Sequence, residues 1–142
     1  MRLPVALVVL LLAMGDAHAA GRLVVEHAWI RTAPPSALML AGYATLRNDG
    51  DAPLTVNGAD STDFADVQLH MTVLEDGVER MRPTGKIEIA PGKSVEFAPG
   101  AKHFMLVRPK RELRAGEKVK IHISTMGGDG ANADFVVRDS AP

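Results

Sequence analysis

Nowhere between Gly21 and Pro142 do apolar residues recur at the 3.6-residue spacing of a helix; short alternating runs broken by Gly, Pro and Asp recur instead. Alternation at every second position puts the apolar side chains on one face of an extended segment, so this chain must build sheet whose apolar faces meet. The runs predict strands over Leu23–Ile30, Ala41–Asn48, Leu54–Ala59, Val67–Glu75, Val78–Arg82, Lys86–Ile89, Ser94–Phe97, His103–Arg108, Lys118–Ser124 and Ala133–Val137. Between them, Asn48-Asp49-Gly50-Asp51, Ala90-Pro91-Gly92 and Ala98-Pro99-Gly100 supply the positive-φ and fixed-φ positions that turns require. Asp76-Gly77 is the strongest short hairpin signal in the chain. Such a series of short strands predicts an all-β single domain, a Greek-key β-sandwich or barrel.

The first twenty residues do not follow this pattern. Arg2 is a short basic start, Val5 to Met14 is an almost unbroken apolar run, and Ala17-His18-Ala19 is the small-x-small pattern of a signal-peptidase site. A run of about ten residues is too short to cross a bilayer core of ~30 Å as a helix. Residues 1–20 therefore read as a cleaved signal peptide, 21–138 as the exported domain, and 139–142 as a short polar tail that frays. The expected location is the periplasm, with no membrane span after cleavage.

Net charge is −1, and the leader removes one charge of each sign (Arg2 and Asp16), so the exported part carries no basic excess to bind nucleic acid or an anionic membrane. Cysteine is absent, which rules out disulfide staples and thiolate metal ligands. Stability must come from the core alone, which is feasible for roughly 120 residues. With Cys missing, the neutral soft and borderline ligands left are Met and His.

The hairpin around Asp76-Gly77 can be worked out by counting. With a two-residue loop, Glu75 faces Val78, Thr72 faces Met81 and His70 faces Pro83. Facing residues share a side of the sheet, so His70, Thr72 and Met81 lie on one face with His70 and Met81 as diagonal neighbours. Val67, Leu69, Met71 and Val73 take the opposite, apolar face. In His103-Phe104-Met105 the first and third residues project together and Phe104 points the other way. Two strands thus each offer a His and a Met. Cu(I) suits this set, because thioether sulfur is soft, imidazole is borderline, and neither must lose a high-pKa proton. Zinc prefers thiolate or carboxylate partners, and calcium and magnesium require oxygen. Taken singly, each residue has an ordinary role: strand methionines fill cores, and histidines are commonly solvated or hydrogen-bonded.

The spacing from His70 to Met81, on to His103 and then to Met105 resembles that of the periplasmic copper chaperones called PCu(A)C, whose signature is H(M)-x10-M-x21-H-x-M. Ala28-Trp29-Ile30-Arg31, Tyr43-Ala44-Thr45-Leu46, Asp76-Gly77 before Met81-Arg82-Pro83, and Pro99-Gly100 ahead of His103 match as well, over nearly the whole exported chain. The resemblance implies a cupredoxin-like β-sandwich holding one Cu(I) near its surface. It also implies copper supply to cytochrome c oxidase, at the CuA centre of subunit II, with that subunit or its copper-insertion factors as partners. By position His70, Met81, His103 and Met105 inherit the ligand role. Met71 is the optional member of the signature; strand parity assigns it to the core face, and a bulge would be needed to turn it to the metal. The tail Gly127–Pro142 holds neither His nor Met, so no second copper site is expected there.

The remaining candidates are weaker. His122 alternates with Lys118 and Lys120 on a wet face, His27 sits beside Glu26, and Met39 and Met126 show no paired ligand in the sequence. Trp29 reads as core. No nucleophile or acid–base motif is recognisable, so the chain is read as a monomeric binding protein and not an enzyme. Three other readings stand beside it: copper storage or tolerance, a metal-free β-domain, and a copper oxidase-type enzyme built on an N-terminal His. The last would require cleavage after Ala17 to expose His18, a poorer site than Ala17-His18-Ala19.

Overall fold

Each of the alternating runs forms a strand in the computed structural model, which describes residues 20–142. The strands are β1 (Leu23–Arg31), β2 (Met39–Asn48), β3 (Leu54–Asp60), β4 (Phe64–Glu75), β5 (Val78–Pro83), β6 (Ile87–Ile89), β7 (Ser94–Phe97), β8 (Lys102–Pro109), β9 (Lys118–Thr125) and β10 (Ala131–Arg138). No helix occurs among the described residues. The leader reading, residues 1–20, falls outside the described residues except for Ala20. Beyond β10, Asp139 accepts a hydrogen bond from the Thr32 hydroxyl at 2.7 Å.

Pairing runs β4–β8–β2–β1–β10–β9–β3 and returns to β4 through Ala59 and Val67, so the sheet closes on itself as a barrel-like ring. The strand pattern predicts a sandwich or a barrel, and the closed ring is barrel-like. Closure arises at β3, whose register shifts between Val56 and Gly58. A bulge of this kind bends a strand. One edge of β3 pairs first with β6 and, past the shift, with β4, while its other edge holds β9. β7 and β8 share a neighbour: the second half of β2 pairs with β7 and the first half with β8.

Alternation is visible strand by strand. In β9, fully buried Val119, Ile121 and Ile123 alternate with exposed Lys118 and Lys120 and half-buried His122. The chain's four Phe residues, Phe64, Phe97, Phe104 and Phe135, all lie in one core. Phe104 stacks on Phe97 at 4.6 Å and meets Phe135 edge-on at 5.5 Å. Burying each such ring contributes about 1.5–3 kcal/mol. The core thins toward the β4–β5 hairpin: Val67 is buried, Leu69 only partly, and every residue of β5 is exposed. That hairpin is an arm extending past the end of the barrel.

Candidate metal centre

The arm is set by its turn. Asp76 and Gly77 both have positive φ, 52° and 76°, as the tight type I′ hairpin demands. The resulting register is the one counted from the sequence: Glu75 faces Val78, Thr72 faces Met81 and His70 faces Pro83. Glu75 also clamps the arm through Arg82 at 2.7 Å, and that hydrogen-bonded guanidinium holds its carboxyl below the usual range.

The second pair comes in along the other edge of β4. Antiparallel pairing with β8 sets His70 directly opposite His103 and Gln68 opposite Met105. Phe104 and Leu106, fully buried in the core, fix which face of β8 points inward. His103 and Met105 must then face outward beside His70, Thr72 and Met81. The turn Ala98-Pro99-Gly100-Ala101 delivers β8 to this position. Its closing bond, Ala101 N–H to the Ala98 carbonyl at 3.0 Å, and the φ of 81° at Gly100 fit a Pro-Gly turn. The Ala101 carbonyl then accepts from the Thr72 amide at 3.1 Å, tying the turn to β4.

His103 and Asn48 are the two buried polar side chains of the described residues. Asn48 is fully satisfied: its Oδ1 accepts from the amides of Arg22 and Gly50, and its Nδ2 donates to the carbonyls of Ala52 and Ile89. His103 is 6% exposed, yet its Nε2 has no partner. Among the described residues the one other buried side-chain nitrogen or oxygen without a partner is His70 Nδ1, across the strand, with ring centroids 6.0 Å apart. Unpaired buried polar atoms are rare and costly, and here two imidazoles of one cross-strand pair each carry one.

Neighbours of His70 fix its tautomer. The Asp66 carboxylate can only accept, so the Gln68 Nε2 donates to it at 2.7 Å and the Gln68 carbonyl faces His70. His70 Nε2 then donates to that carbonyl at 2.9 Å. In the neutral ring this bond puts the proton on Nε2 and leaves the unpartnered Nδ1 its lone pair, the form a metal-binding imidazole needs. Burial pushes the His103 imidazole below the ordinary histidine value; the Ala101 backbone opposes this, and charge on His70 adds to it. His103 is therefore neutral at pH 7, with a lone pair to donate.

Met81, His103 and Met105 line one groove with Thr72 and Gly100, while His70 borders a second hollow with Gln68 and Pro83. Glu79 is the one carboxylate in the groove lining, and among the described residues no three of His, Cys, Asp and Glu cluster; the imidazole and thioethers beside it are a donor set that fits Cu(I). Met71 keeps its inward parity but lies past the edge of the core, half-buried between Arg82 and Lys102 in the register. It does not line the groove. His122 is engaged with Asn132 at 3.1 Å, and His27 sits with φ 54° at the irregularity of β1. Trp29 is buried but lies outside the core cluster; it pairs with Tyr43 at 4.8 Å, and Tyr43 borders the groove.

Counting within the sequence missed two residues. Met39 lines the same groove as Met81, His103 and Met105. Gln68 orients His70. The signal for Gln68 was its i, i+2 relation to His70 on one strand face. For Met39 no local signal exists, because its proximity depends on the pairing of β2 with β8.

Fold and site together define an all-β, barrel-like domain of the PCuAC type, with imidazole and thioether donors on its outer face. The copper-bound PCuAC domain from PmoF2 superposes with a TM-score of 0.67 at 24% identity, covering 88% of this chain and 99% of that domain. The Cu(I) form of DR1885 from Deinococcus radiodurans superposes at 0.60 with 27% identity, over 89% of this chain and 82% of that one. The lipoprotein-named Lxx21020 of Leifsonia xyli subsp. xyli (strain CTCB07) is 31% identical over 116 residues, 81% of this chain and 69% of its own length. Residues 23–137 match the model of the LpqE-like lipoprotein family, and the chain belongs to this family, that of the PCuAC domains.

Proposed function

We propose that this protein is a periplasmic Cu(I) metallochaperone and not an enzyme, binding one copper through His70, Met81, His103 and Met105. The observation that carries the reading is the pair of buried, unpartnered nitrogens, His70 Nδ1 and His103 Nε2, on facing positions of β4 and β8. The likeness to the Cu(I) form of DR1885 supports the choice of metal. The proposed recipient is the CuA centre of cytochrome c oxidase, reached through subunit II or its insertion factors. The cupredoxin-like description of the scaffold goes with this reading, and the parallel pairing of β1 with β10 among mostly antiparallel neighbours supports it. Neutral ligands on an outward face suit transfer, because an acceptor's ligands can replace them one at a time.

The test is an anaerobic titration of the apo-protein with Cu(I) against a chelator. One equivalent should bind, and a chain that takes none from the chelator would overturn the reading. Gln68→Leu should weaken binding by about tenfold, as loss of a ligand's orienting partner commonly does. The ¹⁵N spectrum of His70 in this variant should show both neutral tautomers. Unchanged affinity and an unchanged single tautomer would remove Gln68 from the account.

Acid should act on the site in two ways. Protons compete with Cu(I) for imidazole, so affinity falls as pH drops below the ordinary histidine value of 6.5. The apo-protein should lose stability over the same range. His103 has a lower pKa folded than unfolded, so the unfolded chain binds the proton first, and stability present above 6.5 declines as pH falls toward the lowered value. The lowered carboxyls of Glu75 and Glu117 act in the same direction only below their ordinary 4.5, and on the surface they contribute little. Thermal melts from pH 7.5 to 5 should therefore show a decline that His103→Gln reduces. Equal declines in both proteins would refute the assignment.

A further inference from the structure

Five sulfur or nitrogen donors face the outer side of β2, β4, β5 and β8, and the family spacing accounts for four. We propose that Met39 is the fifth: a thioether at the mouth of the groove that takes Cu(I) as the ion passes between the four-residue site and an acceptor. This rests on the Cu(I) reading of that site.

Register places Met39 there. On β2, Ala41 faces Met105 and Met39 faces Val107, so Met39 and Met105 are diagonal neighbours on the outward face. Met39 lines the groove together with Met81, His103 and Met105. Its backbone is held in place, because the neighbouring Leu38 carbonyl accepts from the Arg108 amide at 2.7 Å. Its side chain is nevertheless 57% exposed, close to the 60% of Met81 on the opposite wall. Beside the exposed carboxylate of Glu79, the nitrogen and sulfur donors in this groove grade from a buried imidazole at His103, through half-buried Met105, to two exposed thioethers on opposing strands. Cu(I) accepts several neutral soft ligands without strict geometry, so exchange of one thioether for another keeps the ion coordinated as it moves outward. His70, by contrast, borders a separate hollow and is held by Gln68. The ligands best placed to accompany outgoing copper are therefore Met81 and Met39.

The experiment compares the exported wild-type chain with Met39→Leu, which keeps the apolar volume and removes the sulfur. Each is loaded with one equivalent of Cu(I), and transfer to bicinchoninate is followed by stopped flow. Transfer from the variant should be slower by roughly tenfold, the factor that about 1.4 kcal/mol produces. In the wild type, the Met39 ε-methyl resonance should shift or broaden when Cu(I) is added. Equal rates with an unmoved methyl would overturn the inference while leaving the four-residue site intact. Slower transfer with an unmoved methyl would also overturn it, making Met39 an apolar contact and not a ligand. A wild type that binds no Cu(I) would instead fail the functional reading, and this inference with it.

Discussion

Replacing His103 with alanine should weaken Cu(I) binding by about a hundredfold or more, a loss of at least about 2.8 kcal/mol. Of the proposed ligands His103 is the most buried, so no solvent-exposed side chain can easily take its place, and its neutral state at pH 7 is enforced by burial. The fold should tolerate the change. Alanine removes packing around the ring but also removes a buried nitrogen with no partner, whose desolvation costs about 1–3 kcal/mol. These effects oppose each other, so the apo-protein should melt near the wild-type temperature. His122→Ala is the matched control: its ring contacts Asn132 on another part of the barrel, and Cu(I) affinity should not change. Competition titrations of the three proteins decide the matter. A His103→Ala protein that is folded and binds as tightly as wild type would show that the unpartnered imidazole is not a ligand.

What could be read from the sequence was local. Asp76 and Gly77 determine the hairpin register through their own backbone conformations, so the partners of His70, Thr72 and Met81 follow by counting. His103-x-Met105 shares a face for the equally local reason of strand alternation. The strands themselves were legible because their core faces alternate so plainly, as in Val119, Ile121 and Ile123. Juxtapositions set by distant pairing were not. That His70 faces His103 directly depends on β4 meeting β8, and that Met39 joins the groove depends on β2 meeting β8. Closure of the sheet turns on one register shift in β3, where the sequence shows only a Gly58 among ordinary strand residues. Met71 illustrates the limit of parity: it tells which way a side chain points, but not where along the strand the core stops.

The largest effect on stability should come from Phe104→Ala, which removes none of the proposed ligands. Phe104 is fully buried between Phe97 and Phe135, and its strand neighbours in the register are Leu69 of β4 and Gly42 of β2. It therefore anchors β8 between the strands that carry His70 and Met39, while its own chain neighbours, His103 and Met105, are held outward by its inward position. Truncating a buried Phe to Ala costs about 3–5 kcal/mol, a large share of the ~5–15 kcal/mol total of a typical domain. For a domain of this size the melting temperature should fall by about 10–20 °C. Copper then separates alignment from ligation. A ligand that binds only the folded state stabilises it by mass action, so Cu(I) should raise the melting temperature of Phe104→Ala, whose ligands all remain. The same addition should do little for His103→Ala. Were Phe104→Ala to melt within a few degrees of wild type, the aromatic cluster could not be what sets β8 in register. Were Cu(I) to rescue both variants equally, His103 would lose its place in the site.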